Sequence, residues 1–131
     1  MTHHITLLRV RRTSSSDVNH NLQWLGNSLG LFGLRDKDSS CFRIFIALVR
    51  RSHKTESLST DDLATSCDLS RATVLHHLEK LIEAGLVIKE KEGFMMREST
   101  LERVVKQMQR DVDQIFNELE EVAKEIDNKM G

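Results

Sequence analysis

The stretch Ser59 to Val87, STDDLATSCDLSRATVLHHLEKLIEAGLV, leaves little freedom in how this chain folds. Ser59 with Asp62 three residues later is a variant of the capping box, so a helix is expected over Thr60 to Ser66. The turn Cys67-Asp68-Leu69 follows, in which Asp68 is a residue type that tolerates a left-handed backbone. Ser70 then caps a second helix that runs to Ala84, and Gly85 ends it. Val74, Leu78, Leu81 and Ile82 share one face of that helix, which leaves Ala72, Thr73, His76, Glu79 and Lys80 largely on the other. One face packs and the other is free.

Elements of matching size flank this unit. Val18, Leu22, Leu25 and Leu29 recur at helical spacing from Asp17, with Ser16 or Asp17 as cap, and Gly30 and Gly33 then break the chain. Asp38 or Ser39 is placed to cap a helix through Arg51, in which Phe42, Phe45, Leu48 and Val49 form the buried stripe and Arg50 and Arg51 suit the negative C-terminal end. After the polar loop SHKTES, Leu58 is expected in a short strand. Leu86 to Glu90 and Phe94 to Arg97 read as a hairpin turning at Lys91 to Gly93, with basic residues near its tip. Ile5 to Arg12 ends in the basic triplet Arg9, Arg11 and Arg12 and is either an edge strand or a disordered arm, solvated or in contact with DNA.

From Ser99, with Glu102 completing a capping box, the chain runs to Met130 without Pro or Gly, about 45 Å of helix at 1.5 Å per residue. Leu101, Val105, Met108, Val112, Ile115, Leu119, Val122 and Ile126 alternate in steps of four and three, the repeat of a coiled coil, and are assigned to a dimer interface. With Leu101 at d, the β-branched Val105, Val112 and Ile126 fall at a, which favours a parallel two-stranded pairing. Asp111, Glu118 and Glu125 at g face Phe116 and Ala123 at e rather than basic partners, so the stripe is wider than a simple zipper's. Val104, Phe116 and Ala123 are therefore expected to pack on another helix, Asp17 to Leu29, in a small bundle at the dimer interface, with Trp24 nearby.

Composition narrows the class. About two-fifths of the 131 residues are hydrophobic and about a third are charged, the balance of a globular protein long enough to bury its own core. No segment approaches the roughly 18 to 20 continuous apolar residues that span a bilayer. MTHHITLLRVRR lacks a long apolar run and a cleavage site, so no secretion is expected. Cys41 and Cys67 are too few and too far apart for a disulfide framework or a C-x-x-C site, which fits a reducing cytoplasm and buried thiols. His76 and His77 diverge by about 100° on a helix and do not readily share one metal. Among motifs with catalytic mechanics there is no Gly-rich phosphate loop, nucleophile context or metal spacing, so an enzyme is not expected, nor a metal or cofactor. A net charge of −1 gives no overall attraction to nucleic acid, so any such binding rests on where the charges lie.

Two helices joined by a three-residue turn, the second capped by Ser and followed by a hairpin, resemble the winged helix-turn-helix DNA-binding domains of prokaryotic transcription regulators. The resemblance covers roughly Ser39 to Glu98 and rests on Leu63-Ala64 and on LSRATVLHHLEKLIEAGLV. It looks like the arsenical-repressor, multiple-antibiotic-resistance and archaeal sugar-regulator groups, and GLRDKDSSCFRIFIALVRR leans archaeal. The fold expected is mainly α with a small β-hairpin wing: residues 1–16 as a basic arm or edge strand, 17–37 as helix and linker, 38–98 as the winged domain, and 99–131 as a dimerisation helix.

By that resemblance the second helix of the unit enters a major groove. Ser70, Arg71, Ala72, Thr73, Leu75 and His76 are then the candidate contacts. Arg71 suits a bidentate bond to guanine, Thr73 and His76 suit bases or phosphates, and Ala72 and Leu75 suit a thymine methyl. Lys80, Lys89, Lys91 and Arg97 are assigned to phosphates, which set position rather than sequence. Few positive charges and Glu79 on the free face imply modest affinity with steep salt dependence, unless a dimer or the Arg9 to Arg12 arm supplies more contacts. The function expected is a homodimeric, cytoplasmic, sequence-specific regulator of double-stranded DNA, acting as a repressor, with no membrane partner and no positive sign of a small-molecule effector. The alternative is a winged helix that serves only as a protein-protein or assembly module.

Overall fold

The structure, a computed structural model, describes residues 4–12, 14–32 and 39–131. Its elements are α1 (Val18–Ser28), α2 (Ser40–Ser52), α3 (Thr60–Cys67), α4 (Arg71–Glu83), β1 (Val87–Glu90), β2 (Gly93–Met96) and α5 (Leu101–Met130). Gly33 and Asp38, read above as a chain break and a possible cap, lie outside the described residues. The architecture is the expected one: a helical domain, a two-stranded wing and a long C-terminal helix.

The core forms around α2. Its buried residues are Ser40, Cys41, Ile44, Phe45, Leu48, Val49 and Ser52, which recur every three or four positions along one side. This corrects the expected stripe: Ile44 is fully enclosed, whereas Phe42 is only half-buried, because the helical period places the centre of the stripe on Ile44 and Phe45. Phe42 instead meets Phe32 edge-on with ring centroids 5.2 Å apart. Ser39 precedes α2 as its cap, but its backbone is left-handed (φ 57°) and its side chain makes no cap hydrogen bond. Around α2 pack α1, α3, α4 and β2.

α1 starts where expected, with the Asp17 side chain accepting from the Asn19 N–H at 3.0 Å. Within the single chain it leans on α2. Phe116 and Ala123 are exposed, and of the three residues assigned to a contact with α1 only Val104 is buried. Trp24 turns instead to the N-terminal segment: its indole N–H donates to the Val10 carbonyl at 3.2 Å, and the Arg12 guanidinium lies 5.6 Å from the ring centroid. That segment is neither a sheet strand nor a loose arm. Two backbone bonds also tie it down, with the His4 N–H donating to Glu83 O and the Leu8 N–H to Ser28 O.

β1 and β2 pair antiparallel from Val87 opposite Met96 to Glu90 opposite Gly93, one residue shorter at the outer ends than the sequence reading. Leu58 adds the expected third strand as a single bridge, exchanging two 2.8 Å backbone bonds with Phe94. That bridge requires Gly93, because a Cβ there would sit 2.4 Å from the Leu58 carbonyl oxygen.

α5 begins one residue later than the expected cap. Thr100, not Ser99, accepts from the N–H three residues on, that of Arg103, at 3.2 Å. The two hydroxyl residues are nearly equivalent as caps, so local chemistry alone does not choose between them. Glu102 consequently forms no capping box and pairs with Lys106 at 3.1 Å. Val104 and Met108 are buried in the domain core, Leu101 and Val112 are half-buried, and every residue from Asp113 onward is exposed.

Gly93→Ala is expected to destabilise the fold by about 1–3 kcal/mol, since the added methyl has only backbone to displace. Urea unfolding of the two proteins at equal slope measures the difference.

Candidate nucleic-acid interface

The local chemistry of residues 59–70 aims α4 outward. Ser59 and Asp62 complete both halves of the capping box: the Asp62 N–H donates to the Ser59 hydroxyl at 3.0 Å and the Ser59 N–H to the Asp62 carboxylate at 3.2 Å. α3 stops at Asp68, which takes the left-handed conformation (φ 55°, ψ 54°), and the Leu69 N–H returns to Ala64 O at 3.0 Å. Ser70 then caps α4 by accepting from the Thr73 N–H at 3.2 Å, while its own hydroxyl donates to the Thr73 hydroxyl at 2.9 Å.

Two long-range bonds hold the pair of helices on α2. The Arg43 guanidinium donates to the Cys67 carbonyl at 2.7 Å, and the Ser40 hydroxyl meets His77 Nε2 at 2.7 Å. Both cysteines are buried, as expected, and neither is in a disulfide. Adjacent histidines look alike in a sequence, yet His77 is an internal anchor while His76 faces solvent.

On α4, Val74, Leu78 and Leu81 are at most 1% exposed. Arg71, Ala72, Leu75, His76 and Glu79 stand on the open side, with Leu75 42% exposed. Thr73 is half-buried and engaged in the cap. A groove of about 290 Å³ runs between the start of α3, the first turns of α4 and the wing, and Arg71, Leu75, Lys89, Lys91 and Phe94 line it. Ser70, the cap of α4, does not line it. The structure thus brings Arg71, Leu75, Lys89 and Lys91 together, with Ala72 and His76 on the same exposed face.

Two of the assigned cations are held elsewhere. Lys80 donates from Nζ to the Leu31 carbonyl at 2.9 Å, on the side of the N-terminal segment. Arg97 donates from Nη1 to Asp111 Oδ2 at 2.6 Å and to Gly85 O at 3.2 Å, which fastens the wing to α5. A lysine near a helix end and an arginine after a strand carry no signal in sequence of which way they turn. The same holds for Asp61, which pairs with Arg71 across the mouth of the groove. Asp61, Glu90 and Glu92 line the groove beside Arg71, Lys89 and Lys91, so its charges balance.

Residues 38–90 match the family model described as a helix-turn-helix domain. No curated protein and no solved structure gives a significant match to the chain. The matched segment, with the hairpin that completes it, has the form of a winged helix-turn-helix domain. Such a domain supports DNA binding and transcription regulation. Among the described residues no helix is long and apolar enough to cross a membrane, and no group of three or more His, Cys, Asp or Glu side chains gathers to hold a metal ion.

Because the Arg97 and Asp111 side chains are only 22% and 30% exposed, replacing Arg97 with Met should lower stability by about 1–3 kcal/mol, the scale of a shielded charged hydrogen bond. Thermal unfolding followed by circular dichroism reads the change, and a melting point equal to wild type contradicts the assigned anchor.

Proposed function

We propose that the chain is a homodimeric, sequence-specific transcription regulator that acts as a repressor by occupying a two-fold symmetric duplex site. The observation that carries the reading is Leu75: a large apolar side chain is offered to solvent at the open side of a helix whose next residue inward, Val74, is wholly buried. Beside it stand Arg71, Ala72 and His76, a set of donor and methyl groups suited to base edges in a major groove. Lys89 and Lys91 on the wing contribute phosphate contacts.

The second copy is recruited by α5. Ile115, Phe116, Leu119, Val122 and Ile126 are each 40–63% exposed along one stripe, an arrangement that a second helix relieves. Met108 and Val104 belong to the protomer's own core, so the dimer contact of this reading is centred on the part of α5 beyond Val112. A pair of domains joined in this way presents two copies of α4 to successive major grooves, about 34 Å apart.

Purified protein incubated with mixed genomic duplex fragments at low and physiological salt is expected to select fragments that share a two-fold motif. Arg71→Ala/His76→Ala should lose that selection. Lys89→Ala and Lys91→Ala should each lower the slope of log affinity against log salt by about one, whereas Lys80→Ala, already bonded to Leu31, should leave it unchanged. Wild-type protein that binds no duplex at low salt overturns the reading and points to a protein partner for the winged domain.

Leu119→Asp/Ile126→Asp should convert a dimer to a monomer in sedimentation while leaving the fold of each chain intact, because both residues lie beyond the protomer's core. A wild-type monomer at micromolar concentration, or a variant that remains a dimer, rules out α5 as the contact.

A further inference from the structure

Asp61 and Asp62 are neighbours at the start of α3, yet their carboxylates are used differently. Asp62 is spent on the capping box. Asp61 reaches out of α3 and binds the Arg71 guanidinium at the first position of α4. Both side chains stay open to solvent, at 71% and 65% exposure, so the pair contributes little to stability. Its effect is on where Arg71 points. The guanidinium has five N–H donors in a rigid fork, and one terminal nitrogen, Nη1, donates to Asp61 Oδ1. A second edge of the fork is left for another planar acceptor. The pair sits at the groove that also holds Leu75 and the wing lysines.

We propose that Asp61 is a positioning and specificity-determining residue, which holds Arg71 in the orientation that reads a guanine and keeps it from binding phosphate indiscriminately. The inference rests on the reading that α4 docks in a major groove. An unrestrained arginine satisfies itself on the nearest phosphate, which every duplex offers. One held by a carboxylate arrives with part of its side-chain ordering already made, and bonds well only where a base edge presents two acceptors. The carboxylate itself repels phosphate, which weakens binding to arbitrary duplex.

The test uses the full chain, a duplex selected by the wild-type protein and a scrambled duplex of equal length. Asp61→Ala is expected to lower the ratio of selected to scrambled affinity by about tenfold, within the range of one bidentate base contact. It should also bind scrambled duplex more tightly, with a salt slope steeper by about one as Arg71 turns to phosphate. Asp61→Asn, which keeps the shape, should change the ratio in the same direction. In an Arg71→Ala background, Asp61→Ala should leave the ratio unaltered, because the residue acts through Arg71. A ratio that does not fall in Asp61→Ala, or a fall of equal size in the Arg71→Ala background, overturns the assignment while leaving the DNA-binding reading in place. A wild-type protein that shows no preference for any duplex removes that reading and this inference with it. Unchanged thermal unfolding of the variants, expected from the exposure of Asp61, shows that neither result comes from misfolding.

Discussion

Burial of Ile44, Phe45 and Leu48 along one side of α2 is the constraint on which the rest of the structure depends. Each such side chain contributes about 1.5–3 kcal/mol when taken fully out of water. α2 carries them to the centre of the molecule, where α1, α3, α4 and the wing all meet it. The polar ties follow the same logic: Ser40 and Arg43, both on α2, hold His77 and the end of α3. The exposed side of α4 is thus oriented from behind, by a helix that contributes nothing to the groove itself.

Periodicity and capping made most of this fold legible from sequence. Ser59, Asp62, Asp68 and Ser70 act through neighbours within three or four residues, so their roles follow from spacing alone. The misreadings share a different character. Phe42 against Ile44 and Ser99 against Thr100 are choices between residues one or two positions apart and chemically similar, decided by how the helix is rotated or where the chain turns. Lys80 and Arg97 have partners 49 and 14 residues away, and Ser40 lies 37 from His77, distances at which a sequence carries no local signal. Asp61 carries no local signal for the same reason, since its partner stands on the next helix. The stripe of α5 was visible as a repeat, but which of its residues serve the chain's own core depends on where the wing meets the helix, and Arg97 with Asp111 sets that.

Charge is arranged along the molecule rather than accumulated. The groove balances its carboxylates and cations, and beyond Val112 the long helix carries Asp113, Glu118, Glu120, Glu121, Glu125 and Asp127 against Lys124 and Lys129. A polyanion held at the groove therefore repels the far end of α5, which favours an approach with that end directed away. A net charge near zero conceals this polarity.

The continuity of α5 has a mechanical consequence. A helix with no Pro or Gly from Leu101 to Met130 bends only gently, and its root is clamped by Val104, Met108 and the Arg97–Asp111 pair. The free part is a stiff lever whose fulcrum lies beside the wing. A torque applied at its acidic tip is delivered to the domain that carries α4, so the tip steers the opposite end of the molecule without any intervening hinge.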